Sequence, residues 1–101
     1  MFYVTDKVRF WFRHNIKTSE RGTPYGTTQC FIEKIGNSGE WELAHVGSSR
    51  CSNKDMFHKP TGRKIALNRA IYGHNENDRI NNKELRTNIW ATYFANVSDL
   101  N

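Results

Sequence analysis

Four histidines (His14, His45, His58 and His74) and two cysteines (Cys30 and Cys51) are the side chains able to serve as nucleophile, general base or soft metal ligand. A cysteine nucleophile needs a base within reach and an electropositive, partly open setting. Cys51 and His58 stand seven residues apart, and no paired motif joins them. Structural zinc takes four ligands, usually as two close pairs. The sequence has no CxxC, HxxxH or CxxH, so His45, Cys51, His58 and His74 would have to be gathered by tertiary folding. His74-Asn75 resembles a fragment of a nuclease site whose metal-binding partners are missing at matching spacing. Neither GxxxxGK[ST] nor GxGxxG occurs. These residues therefore point to a non-enzymatic chain with no metal and no cofactor.

Anion binding fits the sequence better. Lys and Arg total 15 against 10 Asp and Glu, a net charge of +5, which favours encounter with anionic partners. Arg9, Trp11 and Arg13 alternate along one stretch, with Lys7 beside them. On a strand they share a face, where cations can hold phosphates while the indole stacks on a base. The competing reading puts Trp11 under a helix with the arginine stems snorkelling around it. A second set, Lys59, Arg63 and Lys64, surrounds Gly62 at an expected helix start, with Arg69 further along. Cations in a first turn oppose the helix dipole, a placement that makes sense when a phosphate or carboxylate sits among them. Here the alternative is that Asp55 pairs with Arg63 or Lys64 and locks the turn to the helix.

The elements that must position these residues divide into two halves. In residues 7–14, Val8, Phe10, Phe12 and His14 fall on one side and Lys7, Arg9, Trp11 and Arg13 on the other, the period of a half-buried strand. Residues 15–26, with Gly22, Pro24 and Gly26, read as a long loop. A second strand is expected over 27–35, a turn at 36–39 and a third strand over 40–46. The apolar set changes parity between Leu43 and Ala44, which predicts a bulge or a strand covered on both faces. Residues 47–51 either end that strand or continue it as a weak edge.

The second half reads as helices. Ser52 and Asp55 have capping-box spacing for a short turn. Pro60 interrupts, Thr61 caps a helix over 62–72, and Gly73 stops it. Ala66, Leu67, Ala70 and Ile71 form its stripe, while Ile65 and Tyr72 opposite predict a helix touched from both sides. Asn81 and Glu84 form the cap pair for a last helix over 82–96, whose stripe is Leu85, Ile89, Trp90, Tyr93, Phe94 and Val97. Residues 1–101 are thus expected to be a single α+β domain: a three- or four-stranded antiparallel sheet followed by two helices packed on one face. No apolar run approaches the ~20 residues that span a bilayer. The charged N-terminus does not resemble a signal peptide, so thiols reduced in a cytosol are expected.

One stretch carries a resemblance. Cys51, then Lys54-Asp55-x-Phe57, then Gly62-Arg63-Lys64-Ile65-Ala66-Leu67-x-Arg69-Ala70 resembles a pattern in small accessory proteins of tailed bacteriophages. Arg86, Trp90 and Tyr93 resemble the closing helix of those proteins, so the likeness runs from Trp41 to Phe94 at most. Pro60 departs from the uninterrupted helix expected there. The resemblance implies a phage protein acting in the host bacterial cytoplasm, and it carries over no catalytic residue. The expected function is a binder of nucleic acid or a phosphate-bearing ligand through Arg9, Trp11, Arg13, Lys59, Arg63, Lys64 and Arg69. The alternative is a protein-binding inhibitor of a host factor, such as a defence nuclease or polymerase, anchored by Trp11, Tyr25 and Trp41.

Overall fold

Alternation of apolar and polar side chains builds an antiparallel meander. The computed structural model describes residues 1–51, 58–73 and 78–97. Strands β1 (Phe2–Thr5), β2 (Val8–Thr18), β3 (Pro24–Ile35) and β4 (Trp41–Cys51) lie in sheet order β1-β2-β3-β4. Helices α1 (Lys59–Tyr72) and α2 (Lys83–Asn96) follow. The expected α+β class, with two helices after an antiparallel sheet, is what forms. Strand β1 is the fourth strand; with only four residues it is too short for periodicity to announce it.

The expected loop over 15–26 is mostly sheet instead. The β2–β3 ladder runs unbroken from Val8↔Lys34 to Thr18↔Pro24, leaving residues 19–23 as the connection. Backbone pairing satisfies these amides whatever the side chains are, so polar residues did not prevent a strand. The connection is closed by Ser19 N donating to Thr23 O at 2.9 Å. The parity change in the third predicted strand is a bulge: Ile32 pairs with His45 but Glu33 pairs with Leu43, so Ala44 is extra. Beyond it β4 continues to Cys51.

Both helix starts differ from expectation. Helix α1 begins at Lys59 with His58 as its cap, rather than Thr61. Pro60 lies in the first turn, where its missing N–H leaves no helical bond unmade. His58 Nδ1 accepts from Thr61 N, so a ring nitrogen replaces the usual hydroxyl or carboxylate cap. In α2 the cap is Asn82, one residue after Asn81, with Oδ1 accepting from Leu85 N at 3.1 Å. The expected Ser52–Asp55 turn lies outside the described residues.

One face of the sheet carries the core. Val8, Phe10, Cys30 and Ile32 are buried beneath Ala66, Leu67, Ala70 and Ile71 of α1 and Ile89 and Tyr93 of α2. Phe2, Val4 and Phe12 pack at its margin. Phe10 and Tyr93 are the largest fully enclosed rings, and such rings bury about 150–250 Å² each. On the other side of α1 Ile65 and Tyr72 stay exposed, and the Arg86 guanidinium lies 5.8 Å from the Tyr72 ring centre. Its backbone rests directly on β4: a Cβ at Gly47 would fall onto Ala66 O and Ala70 N. Farther along, Gly62 brings the helix onto Thr28 and Ser49, where Ser49 Oγ donates to Gly62 O at 3.0 Å.

Candidate functional site

With both helices on the Phe10 side, side chains of opposite parity form a face that no other described element covers. Register sets them in rows across β2, β3 and β4: Arg9–Glu33–Leu43, Trp11–Phe31–Val46, Arg13–Gln29–Ser48 and Asn15–Thr27–Arg50. Lys17 pairs with Tyr25 beyond them. Tyr3 of β1 extends the first row, and its ring lies 6.2 Å from that of Trp41 of β4, which pairs with Ile35.

The face has two zones. Near the β1 end, Glu33 Oε1 accepts from Arg9 Nε at 3.0 Å and from Trp11 Nε1 at 3.1 Å. The Arg9 guanidinium lies 4.1 Å from the Trp41 ring centre, an added cation–π contact. Arg9 is therefore neutralised and held in place. Trp11 does not lie under a helix: it stacks on Phe31 at 4.3 Å with ring planes 18° apart. That stack and the bond to Glu33 explain how a tryptophan sits half-buried on an open sheet.

The far zone is polar and basic. Arg13, Lys17 and Arg50 are exposed among Asn15, Thr27, Gln29 and Ser48, with no acidic residue in these rows. Arg13 and Lys17 stand about 13 Å apart along β2, and the row holding Arg50 crosses about 10 Å of sheet. Lys17 and Arg50 were missed because 15–26 reads as loop and 47–51 as a fading edge. The signal was their same-parity spacing from Arg13 and Ser48.

The helical set goes elsewhere. Lys59, Arg63, Lys64 and Arg69 belong to α1, on the covered side of the sheet, and Arg63 shares a cleft with Trp11 of the strand set. Arg69 Nη1 donates to Ser48 O at 2.8 Å, tying the helix to strand β4. Arg63 Nε donates to the Tyr93 hydroxyl at 3.4 Å. Lys59 is exposed at the first turn, which contains no acidic residue. Lys59 and Arg63 lie close enough to His14 to help lower its pKa below the ordinary 6.5, after the larger effect of burial. His14 Nδ1 is 2.9 Å from Thr28 Oγ1. An open cleft of about 590 Å³ adjoins this group, lined by Met1, Phe2, Trp11, Phe12, His14, Arg63, Asn96 and Val97.

The remaining candidates for chemistry stay apart. Cys30 is wholly buried, which pushes its thiol up to about 12. Cys30 and Cys51 are free thiols. Among the described residues no group of three or more His, Cys, Asp or Glu could hold a metal ion. His74 and Asn75 lie outside the described residues. No helix among the described residues is long and apolar enough to cross a membrane. Comparison with family models, with curated proteins and with solved structures finds no match for this chain.

Proposed function

We propose that this chain is a non-enzymatic nucleic-acid-binding protein that lays the uncovered face of its sheet on the phosphate backbone. The observation that carries the reading is the far zone of that face, where Arg13, Lys17 and Arg50 stand exposed with no acid in their rows. Those cations meet phosphates, and the amides and hydroxyls of Asn15, Gln29, Thr27 and Ser48 donate to phosphate and sugar oxygens. The Trp11–Phe31 stack borders the zone and offers ring surface to a base. Glu33 marks the other limit, because its carboxylate repels a phosphate chain. The likeness to small phage proteins supports placing this activity in a bacterial host's cytoplasm, as an accessory function.

The test is fluorescence anisotropy with labelled single- and double-stranded oligonucleotides across a salt series. Binding should weaken as salt rises, because each neutralised phosphate releases counterions. Absence of binding at low salt to DNA and RNA of either form would overturn the reading.

A second reading draws on the near zone. Tyr3, Leu43 and Val46 are 59%, 57% and 42% exposed along the rows that hold Arg9 and Trp11, an apolar patch suited to a host protein. A stoichiometric partner retained from bacterial lysate after nuclease treatment, and lost in Leu43→Asp, would favour it. Tyr25, expected as part of that anchor, lies instead at the basic end of the face.

A further inference from the structure

The cleft on the covered side of the sheet combines two chemistries that one ligand class satisfies. Its apolar lining is Phe2 and Phe12 with Met1, Val97 and Trp11. The two phenyl rings meet edge to face at 5.9 Å. At one end stand His14 and Arg63, with Lys59 one helical turn before Arg63. Two strands and two helices hold this end in place. Thr28 of β3 fixes His14 through Nδ1, and the buried Tyr93 hydroxyl of α2 accepts from Arg63 Nε. The about 590 Å³ volume falls within the range of small-molecule sites, roughly 300–1,000 Å³.

We propose that this cleft binds a 5′-phosphorylated nucleoside, with the phosphate at His14, Arg63 and Lys59 and the base on the Phe2–Phe12 floor. Charge complementarity selects the phosphate. Burial and, after it, the charges of Lys59 and Arg63 disfavour a proton on His14, and a phosphate would offset the second of these effects. The floor selects a planar ring, because an inorganic anion would leave the phenyl surface unused. Arg13 and Arg50 take no part, since they lie across the sheet. Trp11 borders both sites, so the Arg13 and Arg50 variants, rather than a Trp11 variant, tell this site from the nucleic-acid face.

Isothermal titration with adenosine 5′-monophosphate, adenosine and inorganic phosphate tests it. The monophosphate should bind at least tenfold more tightly than either fragment. Lys59→Gln, a change at an exposed side chain, should weaken monophosphate binding severalfold without shifting Tm. Arg63→Gln should weaken it further, and Arg13→Ala with Arg50→Ala should leave it unchanged. Equal affinity for adenosine and its monophosphate, or full affinity in Lys59→Gln/Arg63→Gln, would overturn the proposal. A 5′-phosphorylated trinucleotide distinguishes the sources. Affinity equal to the monophosphate identifies a strand end as the ligand; much weaker affinity identifies a free nucleotide.

Discussion

The Trp11 indole donates to the Glu33 carboxylate at 3.1 Å diagonally across β2 and β3, since Trp11 pairs with Phe31 and Glu33 with Arg9. The same oxygen accepts from Arg9, so one carboxylate both holds the ring and cancels a nearby cation. Glu33→Gln removes the charge while keeping most of the shape. Turning two bonds to an ionised acceptor into bonds to a neutral amide oxygen should cost about 1–2 kcal/mol in urea unfolding. Oligonucleotide binding should tighten about two- to threefold at low salt, since Arg9 gains a net charge to offer and the repulsion disappears. Weaker binding would place Glu33 inside the contact rather than at its border.

Arg13 and Arg50 are assigned to phosphates, so each has a countable signature. Each phosphate contact adds about 0.9 to the slope of log K against log salt on duplex and about 0.7 on a single strand. Arg13→Ala and Arg50→Ala should each reduce the slope by roughly one such unit and weaken binding at low salt. Because both side chains are exposed, Tm should stay within the small range typical of surface changes, about 0.5 kcal/mol in stability. Unchanged slopes in both variants would remove the far zone from the interface.

Gly47 sets how closely α1 approaches the sheet. A methyl group there would meet backbone atoms of Ala66 and Ala70, which cannot rotate away as a side chain can. Gly47→Ala should therefore destabilise the fold by about 1–3 kcal/mol or more. At about 4–8 °C per kcal/mol, the melting temperature should fall by roughly 10 °C. Gly39→Ala is the comparison. Its φ of +81 is strained for alanine but nothing lies within 4 Å, so its cost should stay near 1–2 kcal/mol. A larger effect at Gly39 than at Gly47 would show that helix seating is not the controlling contact.

The sequence announced those elements whose side chains obey a period. Phe10 and Phe12 opposite Arg9 and Trp11, and the stripe from Ala66 to Ile71, fall where they were expected because burial on one side is their cause. The Leu43–Ala44 parity change was legible as a bulge for the same reason. Residues 15–18 and 24–26 were hidden because ladder hydrogen bonds, rather than apolar burial, make them strand. The site was half legible. Arg9-Trp11-Arg13 reads directly as one face, but the neutralisation of Arg9 depends on Glu33, far away in sequence and adjacent only after pairing. The meeting of His14 with Lys59 and Arg63 likewise depends on α1 crossing β3 and β4, which no local pattern encodes.

Cys30 should behave as an inert thiol. It is fully enclosed, and burial holds its pKa at about 12, so almost no thiolate exists at neutral pH. Under native conditions Cys30 should resist alkylation while Cys51, which is partly exposed, reacts first. In denaturant both should label at similar rates, read by peptide mass spectrometry. Equal labelling in the native protein would mean that the sheet opens locally at β3.

His14 and His45 give the fold a pH dependence of definite sign. Both have pKa values below the ordinary 6.5, His14 through burial and then Lys59 and Arg63, His45 through burial and then Lys34 against an opposing pull from Asp78. The unfolded chain therefore takes up these protons first. Their stabilising contribution is complete above about pH 6.5, declines as pH falls below that value, and is fully lost once pH passes below the folded values. Urea midpoints should decrease between about pH 6.5 and pH 5. In His14→Asn/His45→Asn the decline over that interval should flatten, leaving the carboxylates to dominate at lower pH. A double variant with the wild-type slope would show that neither imidazole is held neutral by the folded structure. Phosphate or nucleoside monophosphate should also lessen the decline in the wild type, because an anion beside His14 favours its protonated form.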